Sequence, residues 1–179
     1  MGKQLTVSGA EITARDDALF FHSLTGMNGV FKYGNQLAHE VVNVNKINIK
    51  DGMVQAQGRN YVIYPNDVES LTIENGTQNQ KRYDLIVYEI SKQDNQETLS
   101  LKVIKGTPSA TNPVDPTLTQ QDTLSSGTIF QLPLYRVKLN GINIEGVDDL
   151  RTYINNLNNA PQVVDVTDEY VEMEINFDE

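Results

Sequence analysis

Two histidines and a scatter of carboxylates are the residues of this chain with the chemistry to act on a substrate. His22 and His39 are far apart in sequence, neither has a second His at i+4, and the chain has no Cys. A zinc site would have to borrow carboxylates from elsewhere, because structural and catalytic zinc is held mainly by His and Cys. The spacing reads instead as one surface His and one strand-face His. Asp16 and Asp17 are adjacent, and adjacent residues on a strand point to opposite faces, so the pair suits a turn or a helix cap better than a shared substrate. Asp115 and Asp122 could ligate Ca²⁺ but lack the D-x-D-x-D-G spacing of a calcium loop; they read as solvated loop acids. Glu69, Glu74 and Asp84 remain open as an acid/base pair, since glycoside hydrolysis needs two nearby carboxylates and no fixed spacing. Tyr33, Tyr61, Tyr64 and Tyr88 could stack on a sugar, although sheet-face and core tyrosines are commoner. No G-x-S-x-G elbow, phosphate loop or G-x-G-x-x-G turn occurs. On the residues alone, no catalytic, cofactor-binding or metal-binding assignment follows, and no cofactor is expected.

The elements that position these residues are short strands. The chain has 179 residues, 39% of them hydrophobic and 21% charged, which suits one folded domain and is too apolar for a wholly disordered chain. Its formal net charge is -10, and acidic chains lack the clustered Lys and Arg from which phosphate binding draws its affinity, so no nucleic-acid partner is expected. No apolar run approaches the roughly 20 residues of a membrane span, so no membrane insertion is expected, and residues 1–20 do not read as a signal peptide.

Alternation of apolar and polar residues predicts strands over 44–50 and 53–57, joined as a hairpin at Asp51-Gly52, then over 60–64, closed by Pro65-Asn66-Asp67, and over 68–73. A second hairpin pairs 82–90 with 97–104. Pro108, Pro113 and Pro116 make 105–127 a long surface loop, because proline lacks the donor that a ladder needs. Strand signal resumes at Phe130, with Pro133 marking an edge or bulge, and Asn140-Gly141 is the strongest hairpin-turn dipeptide. Asp148 is placed to cap a short helix carrying Leu150, Tyr153 or Ile154, and Leu157. Ala18 to Leu24 fits either a strand or a helical turn. Together these describe an all-β fold, mainly an antiparallel β-sandwich or barrel-like domain, with one or two short helices. The domain is expected over 1–160, followed by an acidic amphipathic strand or tail over 161–179. In that last segment Val171, Met173, Ile175 and Phe177 alternate with polar residues, a candidate partner interface that could complete this sheet or a neighbour's edge. Seven of the 24 acids lie in the final 15 residues, leaving 17 acids against 14 bases in the body.

Four stretches in order resemble a module of bacteriophage tail and baseplate proteins of phages and prophages of Gram-positive hosts. They are Ile12-Thr13-Ala14-Arg15-Asp16-Asp17-Ala18-Leu19, Lys81-Arg82-Tyr83-Asp84-Leu85-Ile86-Val87, Val103-Ile104-Lys105-Gly106-Thr107-Pro108 with Pro113 and Pro116, and Leu132-Pro133-Leu134-Tyr135-Arg136-Val137 leading to Asp149-Leu150-Arg151. The resemblance implies a β-rich, non-enzymatic virion structural protein of a tail tip or baseplate. Its partners would be copies of itself, as a trimer or hexamer, and other tail proteins. Its location would be the virion tail, and the bacterial cytoplasm during assembly. No catalytic residues come with it. Arg82 with Asp84, and Asp149 with Arg151, are candidate structural ion pairs, the second read as a surface pair, with Leu85 and Val87 expected to face the core. The alternatives are a carbohydrate-binding module for host-surface adhesion and a glycan-degrading enzyme.

Overall fold

The computed structural model describes residue 9, residues 11–94 and 96–155, and the backbone of 162–166 and 171–174. Its elements are helix α1 (Ala14–Thr25) and strands β1 (Gly29–Phe31), β2 (His39–Asn43), β3 (Lys46–Ala56), β4 (Arg59–Thr72), β5 (Lys81–Gln93), β6 (Gln96–Ile104), β7 (Ile129–Asn140), β8 (Asn143–Asp149), β9 (Tyr153–Ile154), β10 (Gln162–Val166) and β11 (Val171–Glu174). The fold is mostly β, with α1 the one helix among the described residues.

One sheet is organised on β3, which pairs along its length with β4 and, on its other side, with β2 and then β1; β9 adds to β1 in parallel. A second sheet runs β6-β5-β7-β8, antiparallel throughout, and β10 and β11 pair as a separate two-stranded sheet. The first two sheets contribute to one core, Ile47, Ile49 and Val54 from the first meeting Ile86, Tyr88 and Val137 from the second. That is a β-sandwich, in which each sheet turns one face of its pleat inward.

Two bulges let long strands serve this core. In β3 the register shifts between Lys50 and Gly52, so Ile47 and Ile49 point inward before the shift and Val54 and Ala56 after it, although their parity differs. In β7 the residues opposite Ile86 and Val87 are Tyr135 and Pro133. The extra residue, Leu134, changes the phase of the strand, and Phe130 and Leu132 as well as Tyr135, Val137 and Leu139 are all buried. Pro133 therefore marks a bulge and not an edge, since β7 is paired by β5 and β8 on its two sides.

Several local expectations are corrected. Asp51-Gly52 is not a turn: β3 continues through it, and the chain reverses at Gln57-Gly58, both at positive φ, between the paired Ala56 and Arg59. Two consecutive residues at positive φ form the hairpin loop whose twist matches the flanking strands. Strands 60–64 and 68–73 are halves of one β4. The ladder passes from Lys50↔Val68 to Gly52↔Ile63, so Tyr64 to Asp67 loop out around the proline, which has no donor to give. Asp148 caps no helix. It lies in β8 opposite Arg136, and Tyr153–Ile154 form β9; Leu157 lies outside the described residues. The ambiguity at Ala18 to Leu24 resolves as α1, because Thr13 and Asp16 form a reciprocal capping box and Gly26 ends the helix in the left-handed region. Asp16 and Asp17 thus sit in the helix's first turn, where the macrodipole favours negative charge.

The Pro-rich segment is irregular, as composition predicts, but it works as a strap. Ser109 bridges to Lys81 on the β6 side of β5, while Gln120 bridges to Phe130 on the β8 side of β7. The chain between them must cross the outer face of this sheet, where Arg136 is paired with the strap's Asp115. With the core below and the strap above, Asp84 to Ile90 are buried without interruption. Leu85 and Val87 lie under the strap, and Ile86, Tyr88 and Ile90 face the core, the reverse of the facing expected from the sequence.

Candidate interaction surface and ion-pair sites

Arg82 and Asp84 lie on the core side of β5 by the strand's period of two. Their side chains are 2% and 0% exposed. Arg82 Nε donates to Asp84 Oδ1 at 2.7 Å and Nη2 to Oδ2 at 2.8 Å. The guanidinium also donates to the carbonyls of Glu74, at 2.6 Å, and Asn75, at 3.2 Å. Asp84 Oδ1 in turn accepts from the Gly106 amide at 2.9 Å. One buried pair therefore holds together β5, the connection entering it and the first turn of the strap.

Asp149 and Arg151 meet through Nε–Oδ1 at 2.8 Å and Nη2–Oδ2 at 2.5 Å. Read from the sequence as a surface pair, it is one on the Asp149 side only, for the Arg151 side chain is just 11% exposed. Its guanidinium carbon sits 4.9 Å from the Tyr135 ring centroid and 5.3 Å from that of Tyr153, and Nη1 donates to the Gln36 carbonyl at 2.6 Å. Tyr135 reaches the first sheet's loop by donating its hydroxyl to the Leu37 carbonyl at 2.9 Å, and His39 packs edge-on against its ring. The cluster joins β7, β9 and β2. Hydrogen bonding to Arg151 holds the Asp149 carboxyl below its ordinary pKa. Burial first, and then the Arg151 charge, lower that of His39.

Most of the carboxylates nominated for catalysis or ligand binding are engaged with protein partners, and Arg82 draws two of those residues together, bonding the Glu74 carbonyl and the Asp84 carboxylate. Glu69 accepts from the Tyr61 hydroxyl, which burial and that carboxylate push up to about 12. Glu74 pairs with Lys105, Asp84 with Arg82 and Asp115 with Arg136. Asp122 accepts from the Leu124 amide. No group of three His, Asp or Glu residues able to hold a metal ion occurs among the described residues. Tyr88 is buried and donates to the Arg59 carbonyl, while Tyr33 and Tyr64 are exposed, so the four tyrosines do not form one platform. His22 lies on α1 and His39 on β2.

Val171 and Met173 lie on β11, whose partner is β10, with Val163 opposite Met173 and Val166 opposite Val171. Ile175 and Phe177 lie outside the described residues.

Two features escaped the sequence reading. Arg59 and Glu97 form a bidentate pair between β4 and β6, and nothing local in either strand announces it. The second is the outer side of α1. Phe20, Phe21, Leu24 and Leu19 on the helix, with Ile12 before it and Met27 after it, are all exposed, and Ala18 alone is buried. The available signal was the run Leu19-Phe20-Phe21 beside Leu24, which covers more of a helix than the one stripe that faces a core. A polar hollow of about 420 Å³ also lies between the β5–β6 tip and residues 125–128, lined by Lys92, Asp94, Glu97, Ser125 and Thr128 among others. No helix among the described residues is long and apolar enough to cross a membrane. No protein-family model matches the chain, and no curated protein matches it.

Proposed function

We propose that the chain is a non-enzymatic structural subunit of a bacteriophage tail tip or baseplate, working by assembly with copies of itself and with other tail proteins. The observation that carries the reading is the apolar outer side of α1, since an exposed apolar patch of this kind is often a contact site for another protein. The residues of the tail-like motifs support it by acting as joints. Arg82 and Asp84 tie the strap to β5, the Leu132 to Tyr135 stretch supplies the β7 bulge, and Asp149 and Arg151 close the β7, β9 and β2 corner. Such joints suit a stiff building block. The nominated carboxylates are committed to cations or donors, which favours a scaffold over acid/base catalysis. On this reading the protein resides in the virion tail and is assembled in the bacterial cytoplasm.

The test is solution mass by light scattering together with mass spectrometry of virions induced from a strain carrying the gene. Concentration-dependent oligomers and recovery in the virion are expected. A strict monomer at high concentration that is missing from virions would overturn the reading. The polar hollow at Lys92, Glu97 and Ser125 favours a second reading, a carbohydrate-binding module; silence on a glycan array, with and without Ca²⁺, would discard it.

A further inference from the structure

We infer that α1 packs against α1 of a second copy of this chain, in an antiparallel, twofold-related pair. This rests on the assembly reading and names the surface and the partner for it.

A helix of 12 residues is marginal in water unless an amphipathic face is covered. Here the rest of the described residues cover little of it. Ala18 is its buried residue, and the bonds beneath it are polar: Gln55 Nε2 donates to Thr25 Oγ1 at 2.5 Å and to the Met27 carbonyl at 3.3 Å. The backbone seats directly on the sheet. A Cβ on Gly58 would stand 1.7 Å from the Ala18 carbonyl oxygen, so only glycine admits the helix there. The apolar side is left outward, with Phe20 55% and Leu24 58% exposed one turn apart, and the Phe20 and Phe21 rings in edge contact at 5.9 Å.

Ile12, Leu19, Phe20, Phe21, Leu24 and Met27 are each roughly half exposed, which at about 150–250 Å² for a large side chain leaves on the order of 500 Å² of apolar surface per chain. Two such faces closed on each other remove at most about 1,000 Å², the size at which specific interfaces begin. The face is also self-complementary in the antiparallel sense. Ile12 precedes the helix and Met27 follows it, so reversal brings each opposite the other, with Phe20 near the twofold axis. Asp17 copies then lie on opposite sides of that axis, about 9 Å apart along the helix direction by the helical rise; a parallel pair would set them level. Such an isologous contact closes on itself and needs no third component.

The lack of cysteine gives a clean test. Single variants Phe20→Cys and Leu24→Cys are oxidised beside Ile142→Cys, an exposed control in the β7–β8 turn. A disulfide requires Cα atoms within about 7 Å, so Phe20→Cys should give covalent dimers far faster than the control. The double variant Phe20→Glu/Leu24→Glu should weaken self-association at least about tenfold by sedimentation equilibrium, as loss of aromatic anchors does, with the far-UV spectrum unchanged. If the spectrum changes, the cross-linking rates decide. A wild type that associates while the double variant associates equally, with Phe20→Cys no faster than the control, overturns the α1 contact and leaves the assembly reading standing. A wild type that stays monomeric overturns both.

Discussion

Arg59 and Glu97, 38 residues apart in the chain, face each other across the two sheets through paired hydrogen bonds of 2.7 Å each. Arg59 is on β4 and Glu97 on β6, so the fork of the guanidinium clasps one layer of the sandwich to the other. Lys92 adds a third contact to Glu97 at 3.0 Å. The Arg59 hydrogen bond, ahead of those from Lys92, pulls the Glu97 carboxyl down to about 2 from its ordinary 4.5.

Acid should therefore loosen this clasp. A carboxyl whose pKa is depressed by folding stabilises the native state above its unfolded value, and that contribution fades as pH falls, because the unfolded chain takes up the proton first. For Glu97 the window runs from about 4.5 down to about 2. Urea midpoints measured between pH 7 and pH 2 should fall in this window, and Glu97→Gln should lower the midpoint at pH 7 while flattening the acid limb. An unchanged acid limb in the variant would show that other carboxylates govern it.

Removing one member of the buried Arg82–Asp84 pair should be far more damaging than any surface ion-pair loss. Asp84→Ala strands a guanidinium that is 2% exposed and deprives Gly106 of its acceptor, and breaking a buried pair from one side costs about 3–5 kcal/mol. Lys50→Ala, which removes an exposed pair with Glu40, should cost no more than about 1 kcal/mol. Equilibrium urea unfolding of the two variants compares them directly; equal losses would deny the pair its role as a joint.

Gly106→Ala should lift the strap. Its Cβ would stand 1.9 Å from the Tyr83 carbonyl oxygen, a backbone atom with no rotamer to retreat into. Overpacking of this kind costs about 1–3 kcal/mol. The loss should be local, so proteolytic cleavage within 107–127 should quicken more than the thermal midpoint drops. Cleavage at the wild-type rate would place the strap's anchor elsewhere.

Arg151→Lys keeps the charge but surrenders the geometry. Lysine cannot give parallel bonds to Asp149 while lying between the Tyr135 and Tyr153 rings and reaching the Gln36 carbonyl. The expected loss is about 1–3 kcal/mol, with a changed near-ultraviolet tyrosine signal reporting the corner. A loss below about 0.5 kcal/mol, within the range of ordinary surface substitutions, would show that charge alone suffices.

Strand period, the β5–β6 and β7–β8 hairpins and the irregular Pro-rich segment were legible in the residues, since alternation, Asn-Gly turn chemistry and the missing proline donor act between near neighbours. Pro133 narrowed its place in β7 to an edge or a bulge, and the strands paired on both sides of β7 settled on the bulge. What tertiary structure alone decided were the choices for which local physics offers two answers. Asp-Gly suits a bulge as well as a turn, and the neighbouring ladder settled it; the reversal went to Gln57-Gly58. Asp148 suits a helix cap as well as a strand, and Arg136 opposite it settled that. Arg59 and Glu97 meet because two sheets stack, a relation that no window of sequence contains. The outward side of α1 was decided in the same way: periodicity shows that a helix has apolar positions, but which of them face the body depends on where Gly58 and Gln55 have been carried by β3 and β4.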